Sequence, residues 1–153
     1  MILVEFEARH ARQILDGQVN DEKFRPPIQI SQFVDKMVVP DMSFTAVVNG
    51  SIVACGGIYP VWSGVGEAWF LGSHLIHKYT KTIVKELRMH LHGIMEAHQL
   101  HRVQAHILED WPNARRWIRF LDMQEEGVLR KFSPDGHNYI PVSYTHLTLP
   151  TRS

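Results

Sequence analysis

Ten histidines make metal binding the first chemistry to consider in this sequence. His74 and His77 are three residues apart, as are His98 and His101, and histidines at such short spacings can share a metal ion. No cysteine or carboxylate completes a typical tetrahedral set with either pair. We therefore expect surface or loop histidines and no metal site.

Aromatic and thiol side chains offer two further chemistries, base stacking and nucleophilic attack. Stacking on nucleic acid needs a basic surface beside the rings, whereas Lys+Arg and Asp+Glu balance at 16 each. We therefore expect the four tryptophans to pack in the core or in a groove, and we expect no nucleic-acid partner. Cys55 is the single cysteine, which predicts a buried thiol and a reducing compartment.

The length and composition predict one globular domain. A chain of 153 residues with a hydrophobic fraction of 44% can bury a core of its own. No apolar run approaches the roughly 18–20 residues of a membrane-spanning helix, and the residues from Met1 to Val4 do not resemble a signal peptide. We therefore expect a soluble cytoplasmic protein with no membrane association.

A β-hairpin is the clearest element in the first half of the chain. Phe44–Val48 and Ser51–Cys55 alternate as strands, and Asn49-Gly50 supplies the two positive-φ residues of a type I′ turn. Gly56-Gly57 in the outgoing strand predicts a bulge or a bend. The preceding segments predict a strand over Ile2–Phe6, a helix over Ala8–Leu15, a loop over Asn20–Pro27, and a short helix capped by Ser31 and ended by Pro40.

Strands and helices alternate in the second half. Glu67–Leu71 predicts a central strand buried on both faces, and an apolar stripe predicts a helix from Thr80 to His98. Arg102–Leu108 alternates as a strand, and Gly127–Lys131 and His137–Ile140 predict a last strand pair joined across the turn 133–136. The whole order, β-α-α-β-β-β-α-β-α-β-β, predicts a mixed α/β sheet with helices on its faces.

Residues 113–130 form the most informative segment. They predict a short amphipathic helix that leads through a turn into Glu126-Gly-Val-Leu-Arg130. Asp110 occupies the predicted N-cap, and Pro112 falls in the first turn, where its missing N–H costs little. Apolar residues recur at i, i+3, i+4 and i+7 on one face of this helix: Ala114, Trp117, Ile118 and Leu121.

This order of an asparagine, an aromatic and apolar helix, a short turn and a Glu-Gly strand resembles the closing motif of the GNAT acetyltransferase superfamily. The resemblance covers roughly Phe44 to Ile140 and is strongest from Glu67 to Arg130. It implies the GNAT (acyl-CoA N-acyltransferase) fold, a mixed and mostly antiparallel sheet flanked by helices, with acetyl-CoA as the cofactor.

In GNAT proteins the turn after the fourth strand and the next helix N-terminus hold the coenzyme A pyrophosphate through backbone N–H groups. The family pattern there is Arg/Gln-x-x-Gly-x-Gly/Ala, but this chain has Thr82 and Val84 at the two glycine positions. Either lysine and threonine side chains compensate, or the site is lost. Asn113 aligns with a family asparagine that contacts the coenzyme arm; alternatively it caps its helix. The resemblance implies these cofactor-binding residues: Ser73, His74, Leu75, Lys78, Tyr79, Thr80, Lys81, Thr82, Ile83, Asn113 and Trp117.

The implied reaction is attack of an amine on a thioester, which needs a base for the amine proton and an acid for the departing thiolate. Glu67, at the entry to the predicted central strand, is the candidate base; the alternative is a solvated carboxylate at a strand end. The usual acid is a tyrosine one position after the aromatic that aligns with Trp117, where this chain has Ile118. Tyr79 and Tyr139 are candidate replacements.

Two classes of function stay open. Gly66–Leu71, His101–Ala105 and the Pro134-Asp-Gly136 ending resemble a tailed-phage and prophage branch, which includes the small internal virion protein of short-tailed phages. One function is acetylation of a small-molecule or protein amine in the host cytoplasm. The other is a catalytically degenerate structural or assembly protein that contacts other virion proteins.

The end of the sequence has an unusual character. Residues 142–151 resemble, codon for codon, the in-frame translation of a transposase-type sequencing adapter. We therefore predict a single GNAT-like domain over residues 1–141 and a non-native tail over residues 142–153. The alternative is a genuine C-terminal strand, because the first residues of this segment alternate acceptably.

Overall fold

The computed structural model describes residues 1–17 and 34–145. The predicted loop Asn20–Pro27 and the predicted cap Ser31 lie outside these residues. The elements in chain order are β1 (Ile2–Glu5), α1 (Ala8–Gly17), α2 (Val34–Met37), β2 (Ser43–Val48), β3 (Ser51–Trp62), β4 (Val65–Gly72), α3 (Ile76–Ala97), β5 (Arg102–Leu108), α4 (Pro112–Phe120), β6 (Gln124–Glu125) and β7 (Tyr139–Thr145).

One mixed sheet connects the strands of the described chain. Its order is β1-β2-β3-β4-β5-β7-β6. The pairs β1–β2, β2–β3, β5–β7 and β6–β7 are antiparallel, and β4–β5 is parallel. The predicted class, a mixed and mostly antiparallel sheet flanked by helices, is therefore confirmed.

The chain forms two compact units. The first comprises Met1–Tyr59 and Ala68–Ile83, and the second comprises Pro60–Glu67 and the described residues from Val84 onward. Strands β3 and β4 and helix α3 each contribute residues to both units. Among the described residues, no helix is long and apolar enough to span a bilayer.

The core of the first unit lies where α1 and α2 bury their apolar faces. Cys55 belongs to this core and is 2% exposed, so the predicted buried thiol is confirmed. Burial raises the pKa of that thiol. The other buried members are Phe6, Ala11, Ile14, Val34, Met37 and Leu71.

The predicted hairpin is confirmed, but its irregularity lies elsewhere than expected. Asn49 has φ 49° and Gly50 has φ 79°, as a type I′ turn requires. Gly56 and Gly57 were predicted to form a bulge or a bend, yet they pair regularly with β2, and the register shift falls between Ala46 and Val47. The glycines instead permit a close approach, because a Cβ on Gly57 would lie 2.6 Å from the Met42 carbonyl oxygen.

Two strand predictions need correction. β4 is central, but residues Glu67 to Phe70 are half-buried rather than buried on both faces. Gly127–Lys131 is not a strand: β6 is confined to Gln124–Glu125, and Leu129 forms an isolated bridge with Tyr139. Gly127 has φ 137°, which interrupts extended pairing at that point. The turn 133–136 does form, with the Gly136 N–H donating to the Ser133 carbonyl at 2.8 Å.

The last strand extends into the segment predicted to be a non-native tail. β7 runs to Thr145, and its residues 142–145 pair with β5, Ala105 lying opposite Val142. Val142 is fully buried. These positions therefore complete the antiparallel pair with β5, whatever the source of the residues that occupy them.

Candidate active site

Glu67 lies in β4 at the point where this strand pairs with β5. The parallel register places Glu67 opposite Gln104. The start of β5 is held by the Gly64 carbonyl oxygen, which accepts from the N–H groups of His101 at 2.8 Å and Arg102 at 3.2 Å. This backbone contact fixes which side chains of β5 face the carboxylate.

Both oxygens of the Glu67 carboxylate are engaged by side chains of β5. Gln104 Nε2 donates to Oε1 at 3.0 Å, and His106 Nδ1 lies 2.9 Å from Oε2. The Glu67 side chain is 14% exposed and that of His106 is 25% exposed. The alternative of a solvated carboxylate at a strand end is therefore wrong, because Glu67 is held between two partners and is mostly withdrawn from water.

The hydrogen bonds continue along the same face of β5. Arg102 Nε donates to Gln104 Oε1 at 2.9 Å, and its two terminal nitrogens donate to the Glu126 carboxylate at 2.6 and 3.1 Å. This contact raises the pKa of Arg102 and lowers that of Glu126. Residues 102, 104 and 106 alternate in the strand and so share one face.

Phe132 packs against the imidazole of this group. Its ring stacks on His106 with the centroids 5.1 Å apart and the planes 16° from parallel, and it also contacts Tyr139 at 5.7 Å. Tyr139, a candidate proton donor, is 5% exposed. Burial, followed by the charge of Asp135, raises the pKa of Tyr139, which keeps the phenol protonated.

The predicted cofactor segment begins in the first unit as a tight turn after β4. Ser73 Oγ donates to the Val53 carbonyl oxygen at 2.9 Å and accepts from the Leu75 N–H at 3.2 Å. The N–H groups of Ile76 and Lys78 donate to the carbonyls three residues earlier. His74 is exposed. The N–H groups of Leu75, Ile76 and Lys78 are thus bonded within the turn.

Helix α3 begins at Ile76, four residues before the predicted start at Thr80, because the turn after β4 runs directly into it. Tyr79 interrupts it with non-helical angles of φ −123° and ψ 18°, so that a second helical run begins at Thr80. The Thr80 hydroxyl donates back to the Ile76 carbonyl at 3.0 Å, and the Ile83 side chain is buried.

The remaining predicted residues of this segment face solvent. Lys78, Lys81 and Thr82 are exposed, and neither lysine forms an ion pair with any residue that the structure describes. Two cationic groups therefore flank the helix break at Tyr79. The ammonium groups of these lysines are suited to contact the phosphates of coenzyme A directly. The backbone N–H groups of the preceding turn are not, because they are already hydrogen-bonded within the turn.

Helix α4 confirms the predicted stripe but not the predicted cap. Ala114, Ile118 and Leu121 are buried. The N-cap is Trp111, without a side-chain hydrogen bond, and Asp110 lies one residue too early because Pro112 already occupies the first helical position.

The α4 residues that the family motif singles out differ in their exposure. Asn113 is exposed and its side chain bonds to no described residue, so the capping alternative is wrong. Trp117 is half-buried, and the buried Ile118 occupies the family's tyrosine position.

Sequence reasoning missed His106, because metal ligand spacing was the only pattern applied to the histidines. The i, i+2 relation of Gln104 and His106 in a predicted strand was a usable signal. In residues 1–17 and 34–145, no three of the His, Cys, Asp and Glu side chains form a group that could hold a metal.

No model of a protein family and no curated protein matches the chain in sequence. Solved structures do match. An acetyltransferase of the GNAT family from Bacillus anthracis superposes with a TM-score of 0.69 at 14% identity, covering 94% of this chain and 93% of that chain. The ribosomal-protein-alanine N-acetyltransferase from Brucella melitensis has a TM-score of 0.74 at 10% identity, covering 95% and 99%. RimJ from Mycobacterium smegmatis, in complex with CoA-disulfide, has a TM-score of 0.66 at 18% identity, covering 97% and 83%.

These similarities identify the fold of this chain. The matched structures are acetyltransferases by name, and each is covered over most of its length. The chain has the GNAT fold, as the motif in residues 113–130 predicted.

Proposed function

We propose that this protein is an N-acetyltransferase that transfers an acetyl group from acetyl-CoA to a primary amine. The observation that carries the proposal is the Glu67 carboxylate on β4 of a GNAT fold, held by Gln104 and His106. A carboxylate–imidazole pair of this kind is suited to take a proton from an attacking amine. The fold alone would not support this proposal, because one fold can carry many functions, and the pair of Glu67 and His106 is the added support.

Side chains of the second unit carry out the proton transfers of the proposed reaction. Acetyl-CoA, when bound, supplies the thioester carbonyl that the amine attacks. The pair of Glu67 and His106 accepts the amine proton. Tyr139, which stays protonated, is the candidate donor to the departing thiolate.

The acceptor is an amine, and the name of one structural neighbour indicates which kind of amine to test first. The Brucella neighbour is named as an N-acetyltransferase of ribosomal-protein alanine, which makes the N-terminal amine of a peptide the first acceptor to test. Primary alkylamines form the second group, since the same proton transfer serves both.

A second candidate function is a GNAT-fold virion or assembly protein that has lost catalysis. One set of observations favours it: the family's phosphate-loop glycines are replaced by Thr82 and Val84, and the buried Ile118 stands where the family has a tyrosine. This candidate predicts no measurable affinity for acetyl-CoA, and its partners are other virion proteins.

Calorimetric titration with acetyl-CoA separates the two candidates. Binding with a dissociation constant on the order of micromolar supports the transferase, and no binding near millimolar concentration supports the degenerate protein. Thr82→Glu should abolish binding, because it places a carboxylate where phosphate approaches. Met89→Glu adds the same charge to an exposed position of the same helix and should leave the affinity unchanged. Equal affinities of the two variants would contradict the assignment of the phosphate site.

A further inference from the structure

The guanidinium group of Arg102 determines which atoms donate in the hydrogen bonds that lead to Glu67. A guanidinium group only donates, so the contact of Arg102 Nε with Gln104 at 2.9 Å must end on the amide oxygen. The amide nitrogen of Gln104 then faces Glu67 and donates to Oε1 at 3.0 Å. The bidentate contact of Arg102 with Glu126 keeps the guanidinium in place.

The same reasoning sets the tautomer of His106. An ionised carboxylate only accepts, so the 2.9 Å contact between Glu67 Oε2 and His106 Nδ1 requires a hydrogen on Nδ1. In the neutral imidazole the lone pair then resides on Nε2. That atom forms no hydrogen bond with any residue in the described part of the chain.

The position of the imidazole also distinguishes it from the carboxylate. The ring of Phe132 stacks on His106 and fixes the plane of the imidazole. The His106 side chain is 25% exposed against 14% for Glu67, both of whose oxygens are already engaged. The free basic atom of the pair is therefore His106 Nε2.

We propose that His106 Nε2 is the atom that takes the proton of the acceptor amine, and that Glu67 is a positioning residue that fixes the imidazole tautomer. This proposal rests on the proposed transferase function. The amine nitrogen bonds to the acetyl carbon as the carbon–sulfur bond breaks, and the amine proton passes to Nε2. His106 then releases that proton to solvent, and the thiolate takes one, so that an amide and a free thiol are formed.

The charged and titratable groups near the imidazole come from several elements. Glu67 faces it from β4, and Arg102 is connected to that carboxylate through Gln104 on β5. Glu126 pairs with Arg102, and Tyr139 packs against Phe132. A pH profile must therefore be compared between variants that leave these groups in place.

The test uses the full chain with acetyl-CoA, a thiol-trapping reagent, peptides with a free N-terminal alanine, and primary alkylamines. His106→Asn keeps a donor at the Nδ1 position but removes the basic nitrogen, and kcat/KM should fall by about 100-fold or more. Glu67→Gln keeps the imidazole, and kcat/KM should fall by only about tenfold. His98→Asn, an exposed histidine outside the site, should leave the rate unchanged.

Two further readouts separate a proton acceptor from a structural residue. Added imidazole should restore activity to His106→Ala and not to Glu67→Ala. The pH dependence of kcat/KM should also differ between the wild type and His106→Asn, because only the wild type carries the basic nitrogen.

The outcomes distinguish this inference from the proposed function. If the wild type acetylates an amine and His106→Asn stays within threefold of it, the inference is wrong and the transferase stands. If the wild type transfers no acetyl group to any acceptor, both fall. Nitrogen-15 NMR of labelled histidine gives an independent check, because a hydrogen on Nε2 instead of Nδ1 of the neutral ring would overturn the inference without any assay of activity.

Discussion

Replacing Gly57 with alanine should destabilise the protein by about 2–4 kcal/mol. An ideal Cβ there would lie 2.6 Å from the Met42 carbonyl oxygen and 2.7 Å from Ser43 Cβ. Both atoms belong to the backbone or its first side-chain carbon, so the strands must separate to admit a methyl group. Overpacking of this kind costs about 1–3 kcal/mol. The same Met42 carbonyl accepts from the Ile58 N–H at 2.9 Å, and weakening that bond adds about 1 kcal/mol.

The other glycines provide matched controls for the same chemical change. A Cβ on Gly56 would lie 3.1 Å from the Trp69 carbonyl oxygen, a milder contact, so Gly56→Ala should fall between Gly57→Ala and the wild type. Gly93 lies in α3 with nothing within 4 Å of its Cβ position. Alanine is the better helix former, so Gly93→Ala should stabilise the protein by about 0.5–1 kcal/mol.

Urea unfolding followed by circular dichroism measures all three variants on one scale. At this chain length, 1 kcal/mol corresponds to a shift of about 2–4 °C in Tm, which gives a second measurement. The expected order of stability is Gly93→Ala, wild type, Gly56→Ala and Gly57→Ala. A Gly57→Ala protein within about 0.5 kcal/mol of the wild type would refute the close approach. If Gly57→Ala does not fold, Gly56→Ala still tests the order.

Three further predictions concern single side chains. Asp122 follows the C-cap of α4 with φ 61° and pairs with Arg88 at 3.0 Å. Both Asp122→Ala and Asp122→Gly lose the ion pair, but a positive φ strains only the alanine, so Asp122→Ala should be less stable in thermal unfolding by about 1 kcal/mol. Hydrogen bonds from Ser133 and then His137 lower the pKa of Asp135 to about 2 from its usual 3.8; its stabilising contribution is full above about pH 4 and is lost as the pH falls toward 2, so Tm should fall less steeply over that range in Asp135→Asn. Because burial raises the pKa of the Cys55 thiol, alkylation by iodoacetamide followed by mass spectrometry should be slow in the native protein and rapid in urea, and equal rates would contradict the burial.

The elements that the sequence predicted well are those with a local signal. The Asn49-Gly50 turn needs two positive φ angles, which few other residue pairs supply, and both are present. The bounds of β5 coincide with the alternation from Arg102 to Leu108. The apolar face of α4 follows directly from helical spacing, because Ala114 and Ile118 occupy it regardless of what packs against them.

The errors arose where a longer-range contact decided the local structure. Gly57 is required by the close approach of Met42 and of Ser43, the first residue of the paired strand, which no pattern within β3 reveals. The early start of α3 depends on Ser73, whose hydroxyl is held by the Val53 carbonyl and organises the turn that enters the helix. At α4 the local signal was misjudged: an acidic residue was preferred as the cap, although Pro112 at the first helical position makes Trp111 the N-cap.

In the candidate site, the alternation of side chains within one strand was predictable from the sequence, whereas the pairing of that strand with its neighbour was not. Alternation in β5 already places Gln104 and His106 on one face, but it does not say what that face meets. Only the parallel register, with Glu67 opposite Gln104, brings the carboxylate into contact with the imidazole. A shift of one residue would turn these side chains to the opposite face and separate the pair. The contact between Glu67 and His106 therefore depends on the register of β4 and β5, to which the hydrogen bonds of the Gly64 carbonyl oxygen with the N–H groups of His101 and Arg102 contribute.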